Sequence, residues 1–219
     1  MQSMNAALSR REFLCISGAT IVATFASGCG KKVAAGLKIN SGSSVLALGD
    51  SLTAGVGAAG ETSYPGVLAR LTGWSVVNAG VSGDTSAQAL ERLPALLLEH
   101  APQLLLVSIG GNDFLRRLPE VQTRANVRKI CELALTGGSQ VVLIAIPAFS
   151  PAAAIVGSLS DHPMFHDIAQ SLKLPLHAEG WSTVLGNPSL RSDQIHANAK
   201  GYAQFAQGLM VTLKAARLV

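Results

Sequence analysis

Val45-Leu46-Ala47-Leu48-Gly49-Asp50-Ser51-Leu52-Thr53-Ala54-Gly55 is the stretch on which the reading of the fold turns. Its first four residues are apolar without alternation, which suits a strand buried on both faces rather than one with a wet side. Such a strand belongs in a parallel sheet covered by helices, and Gly-Asp-Ser ends it in a polar turn. From Val45 onward, short apolar runs alternate with helical periodicity. Strands are predicted at Val45–Leu48, Ser75–Asn78, Leu104–Ile109 and Gln140–Ile146, with a short fifth at Leu174–His177. Helical periodicity covers Tyr64–Leu71, Thr85–His100 (interrupted by Pro94), Glu120–Thr136, Met164–Leu172 and Asn198–Arg217. The expected fold is α/β, a three-layer sandwich whose central parallel sheet has about five strands with helices on both faces.

Composition bounds the function. The 219 residues fit one ordinary domain, and 48% hydrophobic with 14% charged residues excludes a disordered chain. Formal net charge is +4. After residue 28, fifteen Lys and Arg face twelve Asp and Glu, and no basic stripe carries interleaved aromatics. That surplus is too mild for a nucleic-acid surface, and a monomer is expected.

The N-terminus reads as a segment apart from the fold. Arg10-Arg11-Glu12-Phe13-Leu14 precedes a short apolar run, Cys15 to Phe25. Crossing a hydrocarbon core of about 30 Å takes roughly 20 apolar residues, so this run marks an export signal rather than an anchor helix. The paired arginines resemble a twin-arginine signal. Ala26-Ser27-Gly28-Cys29 resembles a lipoprotein processing site with Cys29 acylated, although Ala26 stands where such sites usually carry Leu. Residues 1–28 are thus read as the export signal, 29–43 as a flexible Gly/Ser/Ala-rich tether, and 44–219 as the domain. The expected location is the periplasm of a bacterium, with a lipid anchor on a membrane. Cys131 then has no partner and sits in a helical pattern with Val127, Ile130 and Ala134, as a core residue does.

Parallel sheets place chemistry in the loops beyond the carboxyl ends of their strands. Those loops read Gly49-Asp50-Ser51-Leu52, then Asn78-Ala79-Gly80-Val81-Ser82-Gly83-Asp84-Thr85, then Gly110-Gly111-Asn112-Asp113, and last Ser192-Asp193-Gln194-Ile195-His196. They supply a hydroxyl, a backbone amide at glycine, a side-chain amide and a carboxylate–imidazole pair. Acyl transfer needs this set. A serine is a weak nucleophile until a base takes its proton, and the base needs a partner to fix its tautomer. Asp193-x-x-His196 is the sole Asp-x-x-His in the chain. Ser51 N–H, Gly83 N–H and the Asn112 amide are candidate donors to a developing oxyanion.

In that order, these four motifs resemble the SGNH, or GDSL-type, hydrolase superfamily. Asn78 to Ser86 and the following Ala89-Leu90-Glu91-Arg92-Leu93-Pro94 are similar to its bacterial thioesterase/lysophospholipase/arylesterase group. The resemblance extends from Val45 to the C-terminal helix. It implies Ser51 as nucleophile, His196 and Asp193 completing a triad, and Ser51, Gly83 and Asn112 as the oxyanion hole. No His/Cys/Asp/Glu cluster has metal-ligand spacing, so no metal is expected, and no cofactor is expected either. Two departures stand out: Ala197 replaces the Pro that often follows the histidine, and Phe149–Pro163 matches poorly.

The implied activity is cleavage of a small-molecule or lipid ester, or a thioester, with deacetylation of cell-envelope polysaccharide or non-catalytic glycan or lipid binding as alternatives. Leu52, Phe114, Leu115 and Ile195 are expected to line an acyl pocket, and Arg116 and Arg117 to offer charge to a phosphate or acidic sugar. Asp50 and Asp84 are expected to brace their loops. His100, His162, His166 and His177 are read as surface or helix-end residues. Gly55-Val56-Gly57-Ala58-Ala59-Gly60 matches a dinucleotide fingerprint but begins about six residues beyond its strand, and the second strand ends in Asn78 rather than an acid. No Gly-x-Ser-x-Gly elbow is present.

Overall fold

The structure, a computed structural model, describes residues 36–148 and 159–219. The segment read as an export signal, Cys29 and the beginning of the segment read as a tether lie outside the described residues, as does most of Phe149–Pro163. Five parallel strands form one sheet in the order β2-β1-β3-β4-β5: β1 Ser44–Gly49, β2 Ser75–Gly80, β3 Leu104–Ser108, β4 Gln140–Ile144 and β5 Leu176–His177. The helices are α1 Ser51–Ala54, α2 Tyr64–Thr72, α3 Ser86–His100, α4 Gly111–Leu115, α5 Glu120–Thr136, α6 Met164–Leu172, α7 Gly180–Gly186 and α8 Ala199–Ala215. One face of the sheet carries α2, α7 and α8, which pack on one another, and the other carries α3 and α5 with α6 beyond. This is the expected α/β sandwich.

The apolar runs account for the core. Val45 to Leu48 and Leu104 to Val107 are fully buried, as strands covered on both faces must be. Cys131 is also buried, and burial raises its thiol to about 12, so it stays protonated. The structure differs from the sequence reading at four places. Pro94 does not interrupt α3; it lies on the exposed side, where the carbonyl that loses its N–H partner can be hydrated. Strands β3, β4 and β5 are shorter than expected. His177 is not a surface residue; α8 covers β5 and leaves it 5% exposed. Residues 36–43 do not form a free tether, because Ile39 is buried and its N–H donates to Leu218 O.

That last segment also closes the amino edge of the sheet. Gly36 N–H donates to Ala216 O, while Gln140, at the start of β4, accepts Leu37 N–H and donates to Leu37 O. The opposite edge is where the loops gather. Gly49 is in register with Gly80 on one side and Ser108 on the other, so three loops leave the sheet at one level. Strand order reverses between β1 and β3, which makes their gap the natural crevice of such a sheet.

Candidate active site

Ser51 opens α1 immediately after β1. Asp50 caps that turn, its Oδ1 accepting Leu52 N–H at 3.0 Å. The turn lies against the end of β2 because position 80 is glycine; a Cβ there would collide with Ala54 N. On the far side of the crevice, residues 191–197 close on themselves through Ser192 N–H to His196 O at 3.0 Å. Asp193 Oδ1 accepts the N–H groups of Ile195 and His196 at 2.8 and 2.9 Å, an Asp-centred turn that brings both side chains to one side.

The outcome is a relay. Asp193 Oδ2 lies 2.8 Å from His196 Nδ1, and His196 Nε2 lies 3.0 Å from Ser51 Oγ. Desolvation pushes the Asp193 carboxyl upward, but hydrogen bonds from the His196 ring and from the Ile195 and His196 amides outweigh it, and its pKa falls below the usual value. A carboxylate held ionised favours the Nδ1–H tautomer, which leaves the Nε2 lone pair for the serine proton.

Of the three expected oxyanion donors, Ser51 and Asn112 border the cavity in this crevice, and Gly83 stands in the loop after β2. Gly83 adopts φ 85°, a left-handed conformation that glycine tolerates, and its carbonyl accepts Arg116 Nη2 at 2.8 Å. Arg116 therefore fastens this loop. Asn112, in α4, donates from Nδ2 to Asp84 O at 3.0 Å and faces Asp50 Oδ2 at 3.5 Å. Asp84 in turn accepts Arg92 Nε at 2.8 Å, so Asp50 and Asp84 both brace their loops.

Beside Ser51 a cavity, with about 60 Å³ of space open to water-sized groups, is lined by Leu52, Leu115, Ile146, Leu185 and Ile195 with Asn112 at its edge. Three of the four expected pocket residues are present. Phe114 is not: successive helical residues point about 100° apart, and it stacks on His162 at 4.4 Å and meets Phe165 edge-on. Ile146 and Leu185 were not anticipated; neither belongs to a motif, and the segment just beyond β4 and helix α7 deliver them. Also unanticipated is the buried Asp113, which accepts Ser86 N–H at 2.8 Å, Ser86 Oγ–H at 2.6 Å and Thr123 Oγ–H at 3.2 Å. It locks α4, and so Asn112, to α3 and α5. Among the described residues no group of three His, Cys, Asp or Glu side chains is placed to hold a metal.

With this geometry in view, the chain can be set beside known proteins. The profile of the GDSL-like lipase/acylhydrolase family matches residues 47–204. The chain is 42% identical over 106 residues to thioesterase 1/protease 1/lysophospholipase L1 of Escherichia coli (strain K12), a match covering 47% of this chain and 50% of that protein. The alignment thus spans only half the length of that relative. It is 30% identical over 183 residues to esterase TesA of Pseudomonas aeruginosa, covering 78% of this chain and 87% of that one. The crystal structure of TesA is similar to it with a TM-score of 0.69 and 28% identity, over 79% of this chain and 99% of that chain.

Proposed function

Because the chain belongs to the GDSL-like lipase/acylhydrolase family, we propose that it is a serine hydrolase cleaving carboxylic ester or thioester bonds through an acyl-enzyme intermediate. The observation that carries the reading is the unbroken line Asp193–His196–Ser51, at 2.8 and 3.0 Å. His196 Nε2 takes the Ser51 proton as Oγ attacks the acyl carbon, then returns it to the leaving oxygen or sulfur. Asp193 stabilises the imidazolium in between. Charge on the acyl oxygen falls to Ser51 N–H, Gly83 N–H and the Asn112 amide. Water then attacks the acyl-enzyme by the same path.

The apolar lining, Leu52, Leu115, Ile146 and Leu185, suits the hydrocarbon side of an ester or thioester, as in a lysophospholipid or acyl thioester, rather than a sugar. We further propose that the protein works outside the inner membrane, exported through Arg10-Arg11 and held by lipid on Cys29. Palmitate labelling that persists in Cys29→Ala would count against the anchor.

The central test is a fluorophosphonate probe on the purified protein. Ser51 is expected to be the labelled residue, and Ser51→Ala to lose both labelling and hydrolysis of chromogenic esters while its melting temperature stays close to that of the parent. Labelling that survives the substitution moves the chemistry elsewhere.

A further inference from the structure

Asp50 lines the cavity beside Ser51 and is only 2% exposed. One of its oxygens has a structural task, since Oδ1 caps α1 through Leu52 N–H. A serine or asparagine could do that with a single oxygen. Keeping a whole carboxyl here is costly: burial pushes it up to about 7 despite the Leu52 hydrogen bond. The second oxygen therefore calls for a reason.

Its neighbour supplies one. Oδ2 faces Asn112 Nδ2 at 3.5 Å, and that nitrogen already donates to Asp84 O at 3.0 Å. A carboxamide has two N–H bonds, so these acceptors between them fix the plane of the Asn112 amide. The bond to Asp84 is short and anchored on backbone. The contact with Asp50 is at the outer limit of hydrogen bonding, close enough to orient the N–H and loose enough to release it.

We propose that Asp50 is a positioning residue for Asn112: its Oδ2 aims the second Asn112 N–H along the cavity wall and yields it to the substrate oxygen as negative charge develops there. The inference rests on the hydrolase reading given above. No bond to Asp50 forms or breaks; one N–H exchanges a long contact for a short, charge-assisted one.

Two substitutions separate aiming from capping. Asp50→Ser keeps a capping oxygen and removes the second oxygen, and Asp50→Asn keeps the shape and the cap acceptor but presents an amide to Asn112. Hydrolysis of p-nitrophenyl butyrate by the full-length protein is the readout. Each variant is expected to lower kcat about 10-fold, less than removal of an oxyanion donor itself, with KM little changed. In an Asn112→Ala background neither is expected to lower kcat further. Losses that multiply with Asn112→Ala, or an Asp50→Ser enzyme with parental kcat, overturn the inference. Asp50→Ser carries the test alone if Asp50→Asn does not fold. Hydrolysis unaffected by Ser51→Ala would instead overturn the hydrolase reading, so the two failures are distinguishable.

Discussion

Arg92 Nε donates to Asp84 Oδ2 at 2.8 Å while Nη2 of the same side chain donates to Gly49 O at 3.0 Å, so a single residue of α3 ties the loop after β2 to the end of β1. Gly49 precedes the Asp50-Ser51 turn, and Asp84 supplies the carbonyl that holds Asn112. Two of the motif loops are thus referred to one guanidinium.

Arg92→Met keeps much of the apolar stem and removes the fork. It leaves Asp84 nearly buried without its cation, which breaks a partly buried pair at a cost of about 2 kcal/mol, below the fully buried case because Arg92 is a quarter exposed. Its melting temperature is expected to fall and kcat to fall with it, because Asn112 loses a fixed Asp84 carbonyl. Calorimetry with steady-state kinetics checks both. An Arg92→Met enzyme with lowered stability and parental kcat would show the clamp to be structural only.

For Asn112 the expectation is a loss in the transition state. Removal of one preorganised oxyanion donor lowers kcat by about 10²–10³. Asn112→Ala is expected to lower kcat and kcat/KM together with KM little changed, and Asn112→Asp to do at least as much harm, since a carboxylate repels the developing charge. Raised KM with kcat intact would make Asn112 a ground-state binding group.

His177 gives a pH prediction. Its Nδ1 pairs with Thr212 Oγ1 at 2.9 Å, its Nε2 has no partner, and burial lowers its pKa to about 4. The unfolded chain takes up a proton as pH falls below 6.5, and the folded protein does not until about 4. The stability this residue confers is therefore complete above 6.5 and is lost progressively between 6.5 and 4. Asp50 acts in the opposite sense: raised to about 7, it costs stability as pH rises from its ordinary 3.8 through 7. The two slopes oppose each other between pH 4 and 6.5, which hides both in a simple melting curve. His177→Asn, whose amide reaches Thr212 in place of Nδ1, exposes them. The variant is expected to be less stable at pH 7, and the gap to the parent to narrow by up to about 3 kcal/mol by pH 4.5. Denaturant unfolding at both pH values measures it, and a constant gap would mean that His177 titrates normally.

Strands β1 and β3 were legible because an unbroken apolar run has few other uses in a chain of this length. The relay was legible because Asp193 and His196 are joined by a local turn, and only Ser51 arrives from afar. Helix α7 was not legible: Gly180 and Gly186 bound it and Ser182 and Thr183 fill it, all poor helix formers. It is helical because its apolar residues are buried, with Trp181 stacked on Phe205 at 3.7 Å and hydrogen-bonded to Ser108 Oγ at 3.1 Å. Phe114 and Leu115 show the limit from another side. Both are apolar and adjacent, and only the rotation of a five-residue helix decides that Leu115 borders the cavity and Phe114 does not. Asp113 was hidden because Ser86 and Thr123, its partners, are 27 and 10 residues away.

Gly36 and Leu218 lie together on the amino edge of the sheet, whereas Ser51, Asn112 and His196 lie on the carboxyl edge. Both ends of the described chain therefore leave from the pole opposite the cavity. A bead or a fused partner attached at Val219 would be carried on the back of the molecule, and a sample immobilised there would present its crevice outward to solvent. Orientation on a support is in this way built into the fold, with no engineering of the loops.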